Sequence, residues 1–164
     1  MEFHVARLGP DRFEAQASPT LSGVVRSLTG EVRDLLLADT DDPRLRRLFP
    51  PGYGTDEARD AEYQVLVRDE LLGRRLAALD ALDEGIGAEG RHELDGAALT
   101  AWMTAVNDVR LVLGTVLDVE EDQEPVGPGD PRAPGLAAYD VLTHVLARIV
   151  RALHEDLPQP GDGR

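Results

Sequence analysis

Four histidines, 31 carboxylates and 17 arginines are the groups of this 164-residue sequence that could do chemistry; it has no cysteine and no lysine. His4, His92, His144 and His154 do not fall at metal-ligand spacing, and no His-Glu-x-x-His run occurs. His154-Glu155-Asp156 reads more simply as a solvated helix end. Ser18, Ser22 and Ser27 lack the Gly-flanked turn that exposes a nucleophile between a strand and a helix. Gly127-Pro128-Gly129 lies in an acidic, proline-broken stretch and does not resemble a phosphate-cradling loop. Without a thiol, these residues can form no disulfide, thiolate metal site or cysteine nucleophile. The expectation is a non-enzymatic chain with no metal and no cofactor. Because carboxylates are abundant, a small hydrolase or ligand-binding bundle stays open as an alternative from a different class.

Two charges sit where an amphipathic helix would not put them. Stepping at about 100° per residue, Leu99, Met103, Val106, Leu113 and Leu117 form one stripe, widened by Trp102 and Val109. Arg110 falls in its middle. On the preceding long helix, Asp69 lies between Val65 and Leu72. A guanidinium taken out of water needs a partner, since the isolated charge costs several kcal/mol. The spacing therefore predicts an Asp69–Arg110 pair between the two helices, with Glu70 or Asn107 completing the hydrogen bonds. The pair either fixes helix register or lines an interaction site. Asp108, beside Asn107, is expected to point to solvent.

The elements that must position these charges are mainly helical. The formal charge is −14, and apolar residues make up 42% of the chain. Only seven aromatics are present (three Phe, three Tyr, one Trp), so Leu, Val and Ala must build the core, which favours helix-on-helix packing. Alternation around Gly9-Pro10-Asp11 predicts a β-hairpin over about 2–17. Two strands alone are marginal, so the hairpin must lie on the helices or on a second copy. Ser18 and Pro19 start a helix to Ala38 with a stripe from Leu21 to Leu36. A short helix over Pro43–Phe49 ends at Pro50-Pro51-Gly52, with Tyr53 in a loop. A long helix runs from Thr55 to about Glu84, with Glu57 and Glu62 suited to its start and with Val65, Leu66, Leu72, Leu76 and Leu79 inward; Gly85–Gly90 ends it. Asp95 or a neighbour caps the next helix, to Leu117. The 118–134 stretch reads as a mobile acidic Pro/Gly loop, 135–157 as the last helix and 158–164 as a disordered tail. The fold class is thus a bundle of four main helices plus one short helix with an N-terminal hairpin, a single domain over 1–157.

The acidic balance would repel duplex DNA and anionic membrane; Arg44, Arg46 and Arg47 are too few, and too near Asp39, Asp41 and Asp42, to reverse that. A protein partner with a basic surface is the natural expectation. No segment has the layout of a signal peptide or the length of a membrane span, which points to the cytoplasm. Leu37 and Leu111, outside the stripes, and an open hairpin edge are compatible with a homodimer.

The run Trp102-Met103-Thr104-Ala105-Val106-Asn107-Asp108-Val109-Arg110-Leu111-Val112-Leu113-Gly114-Thr115, followed by acidic Glu120-Glu121-Asp122, resembles the signature helix of the AosR-like family of actinobacterial oxidative-stress regulators. Leu48-Phe49-Pro50-Pro51 before Tyr53, and the Tyr63–Leu79 stretch with Arg74 and Leu76, resemble the same family, and the all-arginine basic set suits GC-rich actinobacterial codon usage. The resemblance implies a cytoplasmic regulator that binds a stress sigma factor, with a factor serving a ClpS-type proteolytic adaptor as the alternative. Some members of the family sense oxidants through a Cys-x-x-x-Cys pair near the N-terminus. No cysteine stands in Met1 to Ser18, or anywhere else in this sequence, so that part of the resemblance does not carry over.

Overall fold

The computed structural model describes residues 1–49, 57–87, 90–120 and 124–155, with side chains of the second helix from residue 61 onward. Its elements are β1 (Phe3–Gly9), β2 (Arg12–Ala17), α1 (Pro19–Ala38), a 3-10 turn (Pro43–Leu45), α2 (Glu57–Ile86), β3 (His92–Leu94), α3 (Gly96–Val116) and α4 (Ala133–His154). The mainly α fold with an N-terminal hairpin agrees with the sequence reading. The expected Pro50–Gly52 stop, the Tyr53 loop, the Thr55 helix start, Glu121-Asp122 and the 158–164 tail lie outside the described residues, as does the side chain of Glu57.

Local chemistry explains the helix starts. The Ser18 hydroxyl accepts from the backbone N–H of Leu21 at 3.3 Å, with Pro19 at the first helical position. Asp95 caps α3 through the N–H of Ala98 at 2.8 Å. The short helix is tighter than expected: only Pro43–Leu45 is 3-10, opened by Asp42, which accepts from the N–H of Arg44 at 2.9 Å.

The hairpin pairs Phe3 with Ala17 and Arg7 with Phe13, with a register shift between Arg7 and Gly9. The sequence reading lacked β3. It joins antiparallel to β2, placing Leu94 opposite Phe13, so the sheet order is β1-β2-β3 and one hairpin edge is covered. The sheet lies on α3 and α4. Arg7 ties it down: its Nη2 and Nε donate to the carbonyls of Leu153 (2.9 Å) and Ala152 (3.3 Å) at the end of α4, where a cation suits the exposed carbonyls.

The core is one cluster running from Phe13 and Leu21 through Leu79, Leu82, Leu99 and Trp102 to Leu142 and Ile149. On α2 the expected inward face holds only for the C-terminal half. Leu79 and Leu82 are buried, but Val65 and Leu66 are 59% and 66% exposed. The helix is 30 residues long, about 45 Å, and in its first half Tyr63, Val65, Leu66 and Val67 are exposed. Leu37 is exposed as expected, whereas Leu111 is half-buried against the core. No helix among the described residues is long and apolar enough to cross a membrane.

Candidate functional site

Helix α3 is central, packed against both α2 and α4. Its buried residues, from Asp108 through Val112, Ala105, Val109, Trp102, Val106 and Leu99 to Gly114, cover roughly 240° of its circumference at 100° per residue. Polar side chains on opposite sides of this helix therefore meet different neighbours.

On the α2 side the buried ion pair is Asp108–Arg75. Asp108 is only 3% exposed, and its Oδ1 accepts from Arg75 Nη1. The other nitrogen of the fork, Nη2, donates to the carbonyl of Leu48 at 3.1 Å, and the guanidinium lies 5.9 Å from the Phe49 ring centre. One cation thus ties α2 to α3 and to the segment after the 3-10 turn. Asp108 Oδ2 and Arg75 Nε are buried and have no hydrogen-bond partner among the described residues. This corrects the expectation of a solvated Asp108. A signal for the pair was present on α2, because Arg75 stands among Leu72, Leu76 and Leu79 at helical spacing.

On the α4 side Arg110 is drawn inward, as its place in the stripe required, but Asp69 is not its partner. Asp69 is exposed and lies on the uncovered half of α2. Arg110 instead donates from Nη1 to the Tyr139 hydroxyl at 3.0 Å and from Nη2 to Asn107 Oδ1 at 3.2 Å, with its carbon 5.6 Å from the Tyr139 ring centre. Asn107 thus completes the hydrogen bonds as expected. Gly114 makes room for the same tyrosine: a Cβ there would stand 3.0 Å from Tyr139 Cε2. Tyr139→Phe is expected to lower unfolding free energy by about 1–2 kcal/mol, a hydrogen bond to a charged group that is only partly buried. Asp69→Ala should stay within about 0.5 kcal/mol of the parent. Urea unfolding of both variants checks the reassignment.

Burial raises the Asp108 pKa above its ordinary 3.8, and the Arg75 interaction only partly opposes that. A carboxyl whose folded pKa is raised contributes stability that is complete below the unfolded value and is lost as pH rises through the folded one. Relative to Asp108→Asn, the parent chain should therefore gain stability as pH falls from neutral toward 4. Paired urea titrations at several pH values read that difference, and a difference that shrinks with falling pH would contradict the burial argument.

The other signature residues also have structural roles. Trp102 is buried, and its indole N–H donates to the carbonyl of Ala81 at 3.2 Å. The Thr115 hydroxyl donates to the Leu111 carbonyl at 2.9 Å. Leu113 lines a groove between α1 and α3. The run therefore marks a helix that must fit neighbours on most of its circumference. Among the described residues no group of three or more His, Asp or Glu side chains could hold a metal ion.

The family model for a domain of unknown function, DUF2017, matches residues 3–153. The chain is 33% identical over 147 residues to the oxidative stress regulator AosR of Mycobacterium tuberculosis, covering 79% of this chain and 62% of that protein. The Mycobacterium bovis AosR gives the same figures. Identity to the AosR protein of Mycobacterium leprae is 34% over 128 residues, covering 69% of this chain and 59% of the relative. The chain thus spans less than two thirds of the length of these relatives. No solved structure matches it. The residues carried by α3 and its neighbours, and the match over nearly the whole length, place the chain in the DUF2017 family, the AosR-like family of the sequence reading.

Proposed function

We propose that the chain regulates the oxidative-stress response in the cytoplasm by binding a protein partner, a stress sigma factor, without catalysis. The observation that carries this reading is the similarity to AosR, named an oxidative stress regulator, over 79% of the chain. The surface supports a binding role: a net charge of −14 complements partners whose DNA-facing surfaces are basic, speeding encounter and setting orientation. Binding of the purified chain to a panel of purified stress sigma factors is the direct test. One of them should bind, and more weakly at about 300 mM than at about 50 mM salt, because exposed charges are screened. Binding to none overturns the reading. Since these residues hold no cysteine, treating the purified chain with peroxide should leave that affinity unchanged.

A further inference from the structure

The described surface offers an apolar groove with an acidic rim. It lies between α1 and α3 and encloses about 480 Å³. Leu28 and Leu35 form one wall and Val112, Leu113 and Val116 the other. Its charged lining residues are Glu31, Asp34 and Arg44, and the Arg44 guanidinium is already held by Asp42, so the unpaired charge of the lining is acidic. Glu31, Asp34 and Ala38 follow at i, i+3 and i+7 on α1, so they form a single row along one rim. Both carboxylates are exposed. Several nearby acids are engaged by arginines: Asp80 and Asp83 bind Arg33, Asp42 binds Arg44 and Asp41 binds Arg68. Among the described residues, Glu31 and Asp34 enter no ion pair.

We propose that this groove docks a basic amphipathic helix of the partner, whose apolar stripe fills the groove while Lys or Arg beside the stripe pairs with Glu31 and Asp34. The proposal rests on the protein-binding reading above and assigns the place and chemistry of contact. From Leu28 to Ala38 the groove runs about 15 Å, three turns of helix, the length over which i, i+3, i+4 and i+7 anchors are read by helix-binding grooves. A small ligand would find few polar groups to orient it: two exposed carboxylates in one row of α1, and an Arg44 already engaged by Asp42. A second copy would bring the same acidic rim twice to one two-fold interface, placing like charges together. Charge complementarity therefore selects a basic partner.

The test uses the full chain and two synthetic helical peptides of about 14 residues. One carries leucines at helical spacing flanked by arginines; the other has the same leucines flanked by glutamates. Fluorescence anisotropy at low salt should give micromolar binding of the arginine peptide and at least about tenfold weaker binding of the other. Amide shift changes should cluster on 28–38 and 109–116. The double variant Glu31→Lys, Asp34→Lys should lose about tenfold in affinity, the order expected for two exposed ion pairs. Val116→Asp, at a residue already 55% exposed, should also weaken binding. Both variants should melt with the parent. Four results would overturn the proposal: no binding of the arginine peptide, equal binding of both peptides, shifts confined to Val65 and Leu66 of α2, or self-association that shifts the groove residues. Failure of the sigma-factor reading is a separate outcome. If the rim variant still binds the sigma factor as the parent does, the groove assignment fails alone; if the parent binds no sigma factor, the peptide result still decides the groove.

Discussion

Asp108→Ala is expected to lower the free energy of unfolding by about 3–5 kcal/mol, a large share of the 5–15 kcal/mol available to a domain. The loss comes less from the missing attraction than from what stays behind. Arg75 stays between α2, α3 and Leu48 with its side chain only 17% exposed and its Nε without a partner among the described residues. Asp108→Asn keeps an acceptor facing Nη1 and should cost less. Replacing both partners at once, Arg75→Met with Asp108→Leu, removes the stranded charge and should return stability to within about 2 kcal/mol of the parent. Urea unfolding of all four chains measures the cycle. If the double variant is as unstable as Asp108→Ala, the penalty comes from lost packing or shape rather than an uncompensated cation.

The second large effect is expected where Gly85 of α2 faces the Trp102 ring of α3. A Cβ on Gly85 would fall 2.1 Å from Trp102 Cζ2 and 2.9 Å from Cε2. The ring cannot swing aside, since it is buried and its N–H is engaged by Ala81. Gly85→Ala should therefore cost about 1–3 kcal/mol by overpacking, despite the gain of less than about 1 kcal/mol that alanine brings in the last turn of a helix, where α2 runs to Ile86. Trp102→Ala should cost about 3–5 kcal/mol through the void it leaves. In that background Gly85→Ala should change sign and become neutral or stabilising, because only the helix preference remains. The sign reversal, read in thermal and urea unfolding, is the decisive result. Two costs that simply add would mean that glycine and tryptophan do not meet.

The sequence made the helix ends legible wherever a side chain satisfies a free backbone group. Ser18, Pro19 and Asp95 placed the starts of α1 and α3 because capping is local chemistry. It made the faces legible only where each helix has one. On α3 a single apolar stripe drew Arg110 inward correctly, yet burial on two further sides also covers Asp108, which lies opposite that stripe. On α2, Val65 and Leu66 obey the apolar period, but a period says which side a neighbour would take and not whether one is present. Asp69 stays in solvent for the same reason. Strand β3 stayed hidden because three residues cannot show an alternation; it exists because the β2 edge had backbone groups free to pair. Tyr139 as the partner of Arg110 depends on how α3 and α4 lie side by side, and no spacing within either helix encodes that.

The Arg7 side chain closes the molecule on itself. It joins the first strand to carbonyls 145 and 146 residues further along the chain. On a ribosome, the hairpin would emerge well before its capping helix, with Arg7 145 residues ahead of the first of the carbonyls it binds. During that interval its edges and the faces of Phe3 and Phe13 have no final resting place, the condition under which nascent chains recruit chaperones or pair with one another. A protease that removes the end of α4 would therefore also free the Arg7 side chain and loosen the first strand from the bundle.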